Sequence, residues 1–486
     1  MVLDIRAMAI GIAAFLPLAA TPANADVVKD VLQELNDTKS VRAKDESKSY
    51  PVVFDAYLEL GKPPMTVGPS FNHSTIHAGM PDWEAVSGWA ESNAGMAEAL
   101  LEVRSENRVV FGLPYGAGEV KPEYRDASLV ADIAVGGNLR DNRFPYLDAI
   151  RTVAAFGTAE IYRRCETDDI DGAIEIALAT ITLARQTCDR EFVDEQLASM
   201  VLLSELLANL RDVMYVYSEK FTPEQYRRLG HDEIVFLRPD RNALLMPEGD
   251  RVMAAALIDE VFNEQSQPDR ERFASTFAGI QSENAPLTRF GAAKRWRTIA
   301  EVHDSLESTQ DRLTLVYDDW FRRWRVQEYD PILDVPTQFD RTNPVRFAAV
   351  VFSLQNIADL FAARNQVQAT VWGTAMAAGV AGYRSEYGTY PSDSEQVYAQ
   401  FARKAYDQDP FDVGYAAFKY RKLDSEFTIQ TPFGSIDVEA GEGLLYSKAQ
   451  DRTDGRGSEH SDTGRSGDIV LWPPIKALAR AQGLID

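Results

Sequence analysis

Between residues 444 and 472 the chain reads LLYSKAQDRTDGRGSEHSDTGRSGDIVLW, with Asp451, Asp454, Asp462 and Asp468 and four glycines set between two apolar ends. Calcium takes about six to eight oxygen ligands, and a glycine-rich loop lets carboxylates and carbonyls close on it without side-chain clashes. The carbonyls from Leu445 to Ala449 lie close by in sequence. The spacing is not that of an EF-hand, because Thr453 interrupts the acidic alternation and no Glu stands at the twelfth position. Composition alone therefore admits two readings, a calcium site or a solvated acidic turn.

Elsewhere the chemistry is sparse. GxSxG, HExxH, Walker and complete GxGxxG patterns are missing, and Gly116 and Gly118 lack a third glycine. His73 and His77 stand four apart in FNHSTIHAGMPDW, a spacing that would aim both rings at a metal on a helix. Their Pro, Gly and Asn neighbours predict a loop and surface histidines. His231 and His303 stand alone in helical context. Trp320 and Trp324, among Arg322, Arg323 and Arg325, are four apart, which places them on a helix face packed on a bundle rather than on a nucleic-acid platform. The two cysteines, Cys165 and Cys188, flank a helix and lie roughly 30 Å apart, too far for a disulfide.

The elements that must position the loop are mainly helical. Residues 26–144 read as a charged linker and irregular helical region, and 145–330 as an irregular helical bundle. Thr222 and Pro223 mark one helix start. A proline-containing linker covers 331–344, after which Asn343 and Pro344 open a helical pattern that Gly388 ends. That pattern is one helix of roughly 60 Å or two stacked segments. No charge appears between Arg364 and Arg384, yet Asn365, Gln366, Gln368 and the glycines predict a buried Ala-rich helix rather than a membrane span. Beyond Pro391, alternation and glycine turns predict a small antiparallel sheet. The expected fold is thus a mainly α bundle followed by a small α+β module over 345–486.

Of the 486 residues 45% are apolar, enough for real cores, and the net charge of −24 disfavours nucleic acid and anionic membranes as partners. A short apolar run ending in Ala23-Asn24-Ala25 has the form of a secretory signal spanning residues 1–25. An extracytoplasmic protein, periplasmic or secreted, without a stable membrane span after cleavage is expected.

The order of GYRSEYGTYPSDSEQ, Asp409-Pro410-Phe411, FKYRK, LLYSKAQD and Gly467-Asp468-Ile469 resembles the globular part of the type II secretion major pseudopilin, over about residues 360–472, under a quarter of the chain. The resemblance implies a long helix, a small sheet and a closing loop that binds calcium, with Asp451, Asp468 and, less directly, Asp454 as ligands; Asp462 has no counterpart. It also departs from that family. There is no prepilin peptidase site or membrane-inserting helix, Ala449 replaces a loop glycine, and DSEFTIQTPFGSIDVEAGE inserts a hairpin before Tyr446. The whole layout is similar to large exported planctomycete proteins, for which likeness implies architecture and not activity.

The functional expectation is a non-enzymatic exported protein whose calcium-stabilised, pseudopilin-like module serves interaction or assembly in the cell envelope, with an envelope or secretion-related partner. Two alternatives stand beside it. One is an extracytoplasmic hydrolase with a site between residues 51–145 and the bundle, around His73, His77 and Tyr115. The other is an accessory component of a type II secretion-like system.

Overall fold

The computed structural model describes residues 25–64, 73–234, 244–278, 289–326, 330–355, 357–398, 400–414, 416–459 and 467–485. The expected signal segment, except for Ala25, and Asp462 lie outside the described residues.

The chain opens with α1 (Ala25–Asn36), which buries Val31 and Leu35. Three helices then form the centre of the body, α2 (Tyr146–Glu166), α3 (Ile170–Thr187) and α4 (Val193–Val216). The α2–α3 turn is set locally: Asp168 adopts a φ of 63°, and the Asp169 side chain accepts a hydrogen bond from Gly172 N at 3.1 Å. That cap satisfies an amide that the first turn of a helix leaves without a partner. The predicted start at Thr222 is a full capping box, with Thr222 and Gln225 each accepting from the other's backbone N–H.

Next come α5 (Gly249–Val261) and α6 (Leu306–Trp324). The helical pattern before α6 breaks at His303–Ser305, where the Ser305 side chain caps Ser308 N and starts a new helix. Trp320 and Trp324 face inward as expected, and Arg323 is buried against Asp319 at 3.0 Å. Residues 331–344 are fastened to α6, since Arg323 donates to Ile332 O and Gln338 N donates to Asp319.

The long helical pattern divides into Ala348–Ser353 and α7 (Ala358–Tyr387), ended by Gly388 at a φ of 72°. Every residue of α7 from Ala369 to Gly382 is buried. Its neighbours are α4, the segment around 223–233 and the strands that follow it. Small residues make this possible: a Cβ on Gly379 would stand 2.7 Å from the Cβ of Ala402, and one on Gly382 equally close to Phe401. Among the described residues no helix is long and apolar enough to cross a membrane.

The sheet region holds β1 (Lys419–Lys422), β2 (Phe427–Thr431), β3 (Gly434–Val438), β4 (Gly443–Ser447) and β5 (Ile469–Trp472), followed by α8 (Ile475–Ala481). An antiparallel three-stranded sheet has the order β1-β4-β5, with Lys419 opposite Tyr446 and Ser447 opposite Ile469. The inserted hairpin β2-β3 is a separate pair, with Ile429 opposite Ile436. Strand periodicity divides the apolar residues between two cores. Leu445 and Leu471 join the main core under α7. Leu444, Tyr446 and Val470 point the other way and pack with Ile429, Ile436, Ile475 and Leu478. The observed class is mainly helical with a small C-terminal antiparallel sheet.

Replacing Gly379 by Val should cost about 1–3 kcal/mol by overpacking, seen as a lower urea midpoint at unchanged m-value. Gly88→Ala, where an added Cβ meets nothing within 4 Å, should instead be neutral or stabilise by up to about 1 kcal/mol.

Candidate functional site in the loop between β4 and β5

The loop leaves β4 from a buried anchor. Asp409, fully buried, accepts from Ser447 Oγ at 2.8 Å, Lys448 N at 3.0 Å and Phe411 N at 3.0 Å. Burial raises the Asp409 carboxyl, and these three donors oppose the rise. In the sequence Asp409-Pro410-Phe411 is only a landmark of the resemblance, because its partners at Ser447 and Lys448 lie 38 and 39 positions away. Ala449 follows with a φ of 54°, the left-handed region that favours glycine.

Three of the predicted carboxylates then come into one loop. Asp451 accepts from Thr453 N at 2.9 Å. Asp454 Oδ1 accepts from the Tyr446 hydroxyl at 2.9 Å and from Arg456 N at 3.0 Å. Asp468, 3% exposed, returns from the far side and takes Gly455 N on Oδ1 at 3.2 Å and Gly457 N on Oδ2 at 2.6 Å. Its own N–H donates to Ser458 O. Gly457 has a φ of 90°, and a Cβ there would stand 3.0 Å from Leu444, so the turn needs glycine.

The electrostatics are unbalanced. Burial pushes Asp468 up to about 6, with the Gly457 and Gly455 amides opposing and the charges of Asp454 and Asp451 adding to the rise. Burial also pushes Glu459 up to about 7, against the Val470 amide and Arg211 of α4. In the sequence Glu459 carries no signal, being a lone Glu after Ser458. It ties the loop to both neighbours: its N–H donates to Gln430 O of β2 and its carboxylate accepts from Val470 N of β5.

The described parts of the loop, 448–459 and 467–468, are folded against each other through Asp468. Among the described residues no group of three or more His, Cys, Asp or Glu is arranged to hold a metal ion by itself. The carboxylates bond mainly to loop amides, each using a lone pair and leaving others available. A hard cation at Asp451, Asp454 and Asp468 would need backbone carbonyls or water as further ligands, a mixed set of the kind calcium accepts.

The other sequence candidates lie apart. His73 is not at the surface as expected: it is 5% exposed, and its Nε2 lies 2.9 Å from Glu205 of α4. Tyr115 is fully buried and donates to Glu195 at 2.7 Å, where Tyr146 and Arg190 also donate. Glu195 and Glu205 are ten residues apart on α4, or about 15 Å, so His73 and Tyr115 do not share a cleft. His77 Nδ1 accepts from Gly79 N at 3.1 Å. His303 is neutral by construction: burial lowers it, and its Nε2 accepts from Ala349 N. Both thiols are buried and free, and burial pushes Cys165 up to about 12.

Asp468 at about 6, with Glu459, Glu191 and Asp250 each at about 7, sets the sign of a pH dependence. A carboxyl raised in the folded state binds protons more tightly there than in the unfolded chain. Its stabilising contribution is full below the ordinary value near 4 and is lost as pH rises through about 6–7. His303 acts oppositely, weakening the fold as pH falls below about 6.5, but it is one group against four. The melting temperature in the absence of divalent ions should fall between pH 5 and pH 8, and Asp468→Asn with Glu459→Gln should flatten that slope.

No family model, curated protein or solved structure matches the chain.

Proposed function

We propose that the chain is an exported, non-catalytic protein whose C-terminal end is a calcium-stabilised interaction module of pseudopilin type, working in the cell envelope. The observation that carries the reading is that burial, with the charges of Asp454 and Asp451 adding, raises Asp468 to about 6 in a loop that also carries those two carboxylates. A divalent cation there would remove the repulsion and favour the ionised carboxylates.

The residues that suggested the resemblance also support one another. Tyr390 of the Tyr-Pro pair accepts from Trp472 Nε1 at 3.2 Å, and Pro391 O accepts from the Tyr420 hydroxyl at 2.9 Å. Asp409 holds Ser447, and Tyr446 holds Asp454. Because α7 is enclosed by its own chain, it is not available to polymerise as a filament helix. Interaction falls instead to the surface beside the sheet, where Val413 of the 409–414 turn is 73% exposed next to Asp412, whose carboxylate holds Lys448 at 2.9 Å. The envelope location rests on the form of residues 1–25.

Calcium at about a hundred times its dissociation constant should stabilise the protein by about 2.7 kcal/mol and raise the melting temperature by several degrees. Magnesium, which keeps its water shell, should do much less. Asp451→Asn and Asp468→Asn should each remove most of the calcium effect. Absence of any shift of the intact protein at millimolar calcium would sink the metal reading.

A further inference from the structure

A groove elsewhere on the molecule shares no residue with the loop. Its volume is about 760 Å³, and it lies between α1, the turn 189–191, the start of α5 and Phe321 of α6. That size suits a small ligand or a short peptide segment. Leu35, Met246 and Val252 are buried at its floor, while Leu245, also lining it, is 59% exposed.

The rim carries the opposite character. Asp30, Glu34, Asp37, Asp189, Glu191 and Glu248 line the groove against only Lys39 and Arg251. Arg42 neutralises Asp37, Arg185 neutralises Asp189 and Arg251 neutralises Glu248. Asp30, Glu34 and Glu191 form no ion pair among the described residues. Asp30 and Glu34 are exposed and four apart on α1, so they form a row along one helix face. Burial pushes Glu191 up to about 7, with Arg190 opposing and Glu195 and Glu248 adding to the rise.

We propose that this groove docks a basic amphipathic peptide segment of a protein partner, with Lys or Arg heads on Asp30, Glu34 and Glu191 and an apolar side chain on the Leu35–Met246 floor. Charge complementarity selects the occupant. A second copy of this chain, at a net charge of −24, would be repelled from the rim. A polyamine would meet the rim but leave the floor without the apolar anchor that commonly dominates such contacts. The proposal does not depend on calcium at the 444–472 loop.

The test is fluorescence anisotropy with the full chain in EDTA, so that the outcome is separate from the calcium reading. The probe is a fluorescein-labelled peptide of alternating Lys and Leu, with a Glu-for-Lys analogue as control and spermine as competitor. The Lys peptide should bind and weaken as salt is raised. Glu34→Lys and Leu245→Asp, both at exposed positions, should each weaken it by about tenfold or more at unchanged melting temperature. The proposal is overturned if the Lys peptide fails to bind at millimolar concentration, if the Glu analogue binds equally well, if spermine matches the peptide's affinity, or if both variants bind like the unmodified chain.

Discussion

The enclosure of α7 is the constraint on which the rest of the structure depends. From Ala369 to Gly382 no face of this helix meets solvent. A helix so placed must be apolar all round and must carry small residues wherever another backbone comes close. Gly373 meets Leu471, Gly379 meets Ala402 and Gly382 meets Phe401 and Tyr226. Those contacts hold the sheet, the 401–402 turn and the helix at 223–228 around one axis. Arg211 of α4 reaches the helix and donates from Nη1 to Thr374 at 2.5 Å, while burial pulls its guanidinium down to about 10 with Asp212 and Glu459 opposing. Burying a guanidinium is costly, so this bond to Thr374 offsets only part of the cost of placing Arg211 there.

The second organising feature is the placement of carboxylates. Glu195 sits inside the body and is matched by Tyr115, Tyr146 and Arg190. Burial raises both tyrosines well above their ordinary range, so they stay neutral donors. In the loop between β4 and β5 the donors are backbone amides and the Tyr446 hydroxyl, which carry only partial charge. Glu195 is thus met by the full positive charge of Arg190, whereas among the described residues Asp468 is met by loop amides alone. This contrast singles out Asp468 and its neighbours as a place where a cation has something to gain, and makes the Glu195 cluster a fastener between α2, α4 and the 111–115 segment.

Much of the architecture was legible from local signals. The start at Thr222–Pro223, the stop at Gly388, the inward face of Trp320 and Trp324, and the alternation in β2 and β3 each follow from capping, φ preference or periodicity within a few residues. Three features were not legible because they depend on distant partners. The break at His303–Ser305 is held by Ala349 N on His303 and by the Arg346 pair with Asp304. His73 is drawn inside by Glu205 of α4, 132 positions along the chain. Glu459 became part of the loop's framework only because β2 and β5 stand on either side of it.

The sequence by itself determined the mainly helical body, the small C-terminal sheet, the two core-facing periodicities and a loop rich in carboxylates. These are local properties, set by side-chain spacing and by glycine and proline. The tertiary structure decided that the loop is closed on Asp468, that its carboxylates lack a full counter-charge, and that α1 lies over the 189–191 turn to leave an acid-rimmed groove. Burial and the distance between charges belong to the folded chain alone, so the electrostatic character of both sites could emerge only once the helices and strands had been brought together.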